Sequence, residues 1–194
     1  MVEARGVWKT FGERTVYDNR WVRLSLVEVE APNGERWEHH VVHLDKVAIA
    51  LLVNERDEVL MLHRYRFAID KWGYELLGGI VESGEDAAAT AKREALEESG
   101  WRPLGEPTHL ASFEPMPGML TAQTDVFMWQ GAEHVGDPTD TEEAGRLEWI
   151  PLDRVRDLLK NQELLGGGTI IAVQAFLLSR AAGTGRQDEA TESA

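Results

Sequence analysis

Glu94, Glu97 and Glu98 stand three and four residues apart in a run, Ala87 to Gly100, that reads as helical. Residues at those spacings share one helix face, so the three carboxylates project together. Like charges so placed cost a helix a few tenths of a kcal/mol per pair, so the cluster calls for a counter-charge. A hard divalent cation such as Mg2+ supplies one, takes carboxylate oxygens as ligands and often bridges protein to substrate phosphates. The chemistry this points to is metal-assisted attack of water on a phosphoryl group. The ordinary alternative is a solvated acidic helix face.

The elements that must position these carboxylates surround them closely. Gly78 and Gly79 precede a short loop carrying Glu82 and Glu85, and Arg93 adjoins the cluster. Ser83 with Asp86 three residues on reads as a capping box, and Glu85 and Asp86 place negative charge at the positive end of the helix dipole. The alanines at 87, 88, 89, 91 and 95 are strong helix formers, and Gly100 is placed to end the run. The helix so predicted has about 15 residues and spans roughly 22 Å.

The spacing from Gly79 to Glu85, on to Arg93-Glu94-Ala95, Glu97-Glu98 and Gly100, and then to apolar Trp101 resembles the Nudix box, the signature of Nudix hydrolases. The resemblance implies an α/β fold: a Nudix α/β/α sandwich with a mixed sheet. It also implies a pyrophosphohydrolase that uses Mg2+, with Mn2+ as a substitute, on a nucleoside diphosphate linked to another moiety. By the same resemblance Glu94 and Glu98 are metal ligands, Glu97 ligates or bridges through water, and the Gly78 carbonyl is a further ligand. Arg93 and Glu85 are expected to form an ion pair that holds the loop against the helix.

The flanks resemble the ADP-ribose pyrophosphatase branch. His63-Arg64-Tyr65-Arg66 stands where those relatives carry a Gln-Tyr-Arg triplet, and Leu77 where they usually have proline. Arg64 and Arg66 are candidate phosphate contacts, since a guanidinium matches phosphate oxygens in a fork. Pro117, 16 residues beyond Trp101, resembles a marker of that branch, although no glutamate follows its Pro-Gly as it often does there. Glu142 or Glu143, ahead of Leu147-Glu148-Trp149-Ile150-Pro151-Leu152, matches the loop glutamate that can act as general base in that branch. Trp37, like Trp21, Tyr65 and Trp72, could stack on a nucleobase. The substrate so implied is ADP-ribose, split to AMP and ribose 5-phosphate. Nucleotide sugars, dinucleotides and oxidised nucleoside triphosphates are the alternatives, and a ligand-sensing domain without turnover is the non-enzymatic one. Such a regulator would usually have an eroded acidic cluster or an attached DNA-binding segment, and neither is seen.

Before the box, Val22, Leu24 and Leu26 alternate, Pro32-Asn33-Gly34 marks a turn, and Trp37 to Leu44 reads as a returning strand. This predicts a two-stranded N-terminal extension over 1–45, which needs a partner surface because a lone hairpin is barely stable. The resemblance makes it the element that builds a homodimer. Val47 to Val53 is apolar throughout, so it belongs in the middle of a layered structure, and after the Asn54–Asp57 turn Val59 to His63 continues as a strand. Further strands are expected at Thr108–Glu114 and Thr124–Trp129, and helices at Leu152–Leu165 and Thr169–Arg180. The Nudix domain is thus expected over 46–180, and the small polar residues 181–194 read as a disordered tail. His39, His40, His43 and His63 lack a metal-ligand motif and are assigned no role.

Composition sets outer limits. Zero cysteines exclude disulfides and thiolate chemistry, and a formal charge of −14 argues against a nucleic-acid partner, whose binding rests on Lys and Arg. No apolar run approaches the roughly 20 residues of a membrane helix and no signal segment is seen, so a cytoplasmic protein with no membrane partner is expected.

Overall fold

A computed structural model describes residues 7–139 and 145–188. In chain order the strands before the first helix are β1 (Lys9–Asp18), β2 (Arg23–Glu30), β3 (Arg36–His43), β4 (Val47–Val53), β5 (Glu58–Arg66), β6 (Lys71–Glu75) and β7 (Leu77–Ile80). Helix α1 (Ala87–Ser99) follows. Then come β8 (Trp101–Pro103), β9 (Thr108–Phe113), β10 (Leu120–Thr121), β11 (Thr124–Gln130), β12 (Ala132–His134), β13 (Arg146–Pro151), α2 (Leu152–Lys160) and α3 (Gly167–Asp188).

These elements group into two compact units. One comprises the chain up to Lys46 together with Glu114–Gln123, and holds a four-stranded sheet in the order β1-β2-β3-β10. The extension is therefore more than the expected hairpin. A third strand, β1, pairs antiparallel with β2 on one side, and β10 runs parallel to β3 on the other through Leu120↔Val42 and Thr121↔His43. Every residue of β1 is exposed, and Trp8, Phe11, Val16 and Tyr17 are among the exposed apolar side chains.

The second unit, Val47–Phe113 with the chain from Thr124 on, is built on a seven-stranded mixed sheet. Its path runs β13-β5-β4-β11-β9, with β6 paired to β5 and β7 to β4. Only β4 and β11 run parallel. The unbroken apolar run in β4 explains its central place. Ile49, Leu51 and Val53 pack into one cluster with Val155 and Leu158 of α2 and Ala172, Val173 and Phe176 of α3. Their neighbours Ala48, Ala50 and Leu52 point the other way, into a cluster with Ala91 and Ala95 of α1. Period-two alternation thus feeds two cores from one strand, giving the helix–sheet–helix layering expected.

Each fully buried Leu of this sheet, such as Leu51, Leu52, Leu60 or Leu62, contributes about 1.5–3 kcal/mol. Helix α1 buries far less apolar surface: its buried residues are Thr90, Ala91, Ala95, Glu98 and Ser99. Small side chains facing small side chains let it lie close to β4, and polar contacts must hold the rest of it.

Three boundaries differ from expectation. Asp86, not Ser83, caps α1, accepting hydrogen bonds from the Ala88 and Ala89 amides at 3.0 and 3.1 Å. Gly100 ends the helix as expected, in the left-handed region at φ 71°, and any Cβ there would collide with the Gly136 carbonyl. Helix α2 stops at Lys160, short of Leu165, because Gln162 turns left-handed and the chain then bridges to β6. The Tyr74 amide donates to Glu163 O and the Leu165 amide to Tyr74 O, both at 2.9 Å. Helix α3 continues to Asp188, so the tail expected from Ala181 begins as helix; residues 189–194 lie outside the described residues.

Replacing the cap tests the assignment. Asp86→Ala is expected to lower the unfolding free energy in urea by about 1 kcal/mol, while Ser83→Ala shifts it by less than about 0.5 kcal/mol.

Candidate active site

The two glycines that enter the box have different reasons to be glycine. A Cβ on Gly78 would strike the backbone of β4 at Ala48 and Ile49, the strand with which β7 pairs. A Cβ on Gly79 would fall inside the Glu94 carboxylate, whose atoms are the nearest it would meet. Gly78 therefore serves the sheet, and Gly79 lets a glutamate of α1 lie against β7.

Arg93 organises the carboxylates around it. Its Nε and Nη2 reach the two oxygens of Glu85, each at 3.1 Å, closing the ion pair expected between loop and helix. Its Nη1 donates to Glu94 at 2.7 Å and to Glu97 at 2.8 Å. The fork-shaped guanidinium can serve three carboxylates at once, which a lysine ammonium could not do with this geometry. Hydrogen bonds from Arg93 first, and from Thr90 second, lower the Glu85 pKa to about 2, and Glu85 in turn raises that of Arg93.

Glu98 faces inward. Its Oε2 accepts the Gly78 amide hydrogen at 2.7 Å, and its Oε1 lies 3.3 Å from Nη1 of Arg64, a buried guanidinium on β5. Arg64 and Arg66 both bind Glu75 at the end of β6, with shortest contacts of 2.7 Å. Burial pushes the Glu75 carboxyl up, but the hydrogen bonds from Arg66 and the charge and hydrogen bonds of Arg64 outweigh it, so its pKa is lowered. Glu75 had no role in the sequence reading. Its signal was a charged residue closing an otherwise apolar stretch just before Leu76-Leu77.

The structure thus gathers Glu85, Arg93, Glu94, Glu97, Glu98, Gly78, Arg64 and Arg66 in one unit. Trp37 and Pro117 fall in the other. Trp37 lies on β3 with its ring edge-on to Trp8, centroids 5.2 Å apart. Pro117 lines a cavity of about 370 Å³ with Lys46, Glu114, Leu120, Thr121 and Gln123. Glu142 and Glu143, the expected general-base candidates, lie outside the described residues. His39 donates from Nε2 to the Gly118 carbonyl, and His63 stacks on Trp72.

A family model, the NUDIX domain, matches residues 42–166 of the chain. The chain belongs to the NUDIX family. It is 42% identical over 170 residues to a CMP-5'-(N-acetyl-N-hydroxy-3-aminopropyl)phosphonate hydrolase of Streptomyces rubellomurinus (strain ATCC 31215), an alignment covering 88% of this chain and 82% of the relative. It is 30% identical to a methanol dehydrogenase activator of Bacillus methanolicus and 23% identical to an ADP-ribose pyrophosphatase of Bacillus subtilis (strain 168). Each of these two alignments covers 89% of this chain and 94% of the relative. A crystal structure of an ADP compounds hydrolase superposes with a TM-score of 0.80 at 19% identity, covering 95% of this chain and 99% of that one, which supports the fold.

Nudix enzymes generally use a divalent metal, and the donor set here fits one. Glu94, Glu97 and Glu98 offer only oxygens, which suit hard cations such as Mg2+. Among the described residues no three His, Asp or Glu side chains close into a metal cage, because the carboxylates are turned onto Arg93 and Arg64. Glu94 and Glu97 are hydrogen-bonded to Arg93 and Glu98 to Arg64, so a cation held by these glutamates would take the place of those contacts.

Three predictions follow from this geometry. Gly79→Ala is expected to unfold close to wild type yet lose about 10–100-fold in activity as Glu94 is turned away. Gly78→Ala is expected to cost about 1–3 kcal/mol in urea unfolding, because backbone cannot move aside as a side chain end can. The Glu85 clamp is a depressed acid, so its stabilisation is present above the ordinary value of 4.5 and is lost as pH falls towards about 2. The unfolding free energy difference between wild type and Glu85→Gln is expected to shrink over that window and to be constant above it.

Proposed function

We propose that the chain hydrolyses the P–O–P bridge of a nucleoside diphosphate linked to another moiety, using Mg2+ with Mn2+ as a substitute. The observation that carries this is the arrangement on α1: Glu94 lies against Gly79 and Glu98 on the Gly78 amide, while Arg93 braces Glu94 and Glu97 to Glu85 of the loop. Glu94 and Glu98 would hold the cation, with Glu97 and the Gly78 carbonyl as further donors. When bound, it supplies charge neutralisation on the phosphoryl oxygens and lowers the pKa of a coordinated water. Arg93 holds loop and helix in register, and the Gly78 amide fixes one oxygen of Glu98. Glu142 or Glu143 is the proposed general base, and Arg66, whose side chain is 41% exposed beside Glu75, is the proposed phosphate contact.

For the substrate itself, ADP-ribose is supported by the resemblance of the flanks and by the Bacillus subtilis relative. A second reading, a cytidylyl phosphonate anhydride, is favoured by the 42% identity to the Streptomyces hydrolase. Both are nucleotide anhydrides, and they differ in base and in leaving group. The exposed apolar side chains Trp8, Phe11, Val16, Tyr17 and Trp37 support a homodimer built through the N-terminal sheet. None of the described helices is long and apolar enough to cross a membrane, and a cytoplasmic location is proposed.

A panel of ADP-ribose, nucleotide sugars, dinucleotides, oxidised triphosphates and a cytidylyl phosphonate, run with Mg2+ and with product identification, tests the proposal. Release of a nucleoside monophosphate is expected from one of the anhydrides, and Glu98→Gln is expected to lower that rate by about 100-fold or more, about 3 kcal/mol of barrier. No turnover of any compound, or an unaffected variant, would contradict it.

A further inference from the structure

Arg64 is the one arginine of this site set deep in the protein. The side chains of Arg64, Glu75 and Glu98 are 7%, 11% and 3% exposed, so their charges are compensated by protein rather than by water. The guanidinium is held more closely by Glu75 than by Glu98. Nε and Nη2 each lie 2.7 Å from Glu75 Oε2, the length of a strong charge-assisted bond. The Nη1 contact to Glu98 Oε1 is 3.3 Å, well beyond that length.

We propose that Arg64 and the divalent cation are alternative partners of Glu98. In this account Arg64 is a positioning residue: an internal counter-ion that balances the buried Glu98 carboxylate before metal arrives and releases it afterwards. The release leaves neither group stranded, since Arg64 keeps Glu75 and Glu98 keeps the Gly78 amide on Oε2. Two partners that compete for one carboxylate oppose each other's binding by linkage, so Arg64 weakens the cation's hold while making the metal-free fold independent of it. The account rests on the reading of Glu98 as a metal ligand.

Titration of metal-free protein with Mn2+, followed by electron paramagnetic resonance of the free ion, and thermal unfolding with and without Mn2+ test it. Arg64→Gln keeps a hydrogen-bonding amide but removes the charge. It is expected to bind Mn2+ about tenfold more tightly than wild type, to melt at a lower temperature without metal, and to gain more from added Mn2+. Arg64→Lys, whose ammonium cannot span Glu75 and Glu98 as the fork does, is expected to fall between the two, and it decides the matter if Arg64→Gln does not fold. Glu98→Gln separates the two readings. If it weakens Mn2+ binding while the Arg64 variants bind equally or less tightly than wild type, the competition is overturned and the ligand reading stands. If Glu98→Gln binds Mn2+ as wild type does, both are overturned.

Discussion

Five carboxylates, those of Glu75, Glu85, Glu94, Glu97 and Glu98, are drawn together by three arginines, and the site depends on that balance. Two carboxylates about 5 Å apart repel by about 3 kcal/mol at the effective dielectric of a protein edge, more than a helix cap contributes. Each arginine touches at least two of the acids except Arg66, which doubles Arg64 on Glu75. Arg93 gathers the exposed side of the helix and Arg64 its buried side. A divalent cation among these glutamates would balance the negative charge that five carboxylates leave over against three arginines.

The fold supplies these charges from elements that have little choice of position. Strand β4 is fixed by two cores, one on each face, and it fixes β7 through the Ile49↔Gly78 register. Helix α1 packs on this strand through Ala91 and Ala95, which share a buried cluster with Ala48 and Ala50 and with the larger Leu52, Leu77 and Trp129. That approach brings Glu94 against Gly79 and Glu98 onto the Gly78 amide. Strands β5 and β6, joined by Arg64↔Gly73 and Leu62↔Glu75, add the arginines and their acid from the next position in the sheet. Small residues of α1 and β4, together with the large buried side chains of the same cluster, set the distances at the site.

Much of this was legible in the sequence, and the failures have physical reasons. The box, the doubly apolar β4, the Arg93–Glu85 pair and the Gly100 stop could be read because each depends on neighbours close in sequence. The cap was misplaced because Ser83 and Asp86 are both good cap residues, and the register of the loop chose between them. Helix α2 was drawn too long because Glu163, Leu164 and Leu165 suit a helix, whereas in the fold they bridge to Tyr74, some 90 residues earlier. The strands β1 and β10 were missed or shortened for the same cause: an exposed edge strand and a two-residue strand carry no apolar period. Glu75 could not be given its role locally, since its meaning comes from Arg64 and Arg66 across a strand pair.

The central claim is that the carboxylates of α1 change partners from arginine to a divalent cation when the enzyme takes its substrate. Crystals grown with Mn2+ and a non-hydrolysable nucleoside diphosphate analogue, read by the anomalous signal of manganese, test it most directly. The account predicts an anomalous peak within bonding distance of the Glu94 and Glu98 carboxylates and of the analogue's phosphate oxygens. A bound analogue with no manganese at these glutamates, or with manganese held elsewhere and Arg93 and Arg64 still closed on all of them, would contradict it.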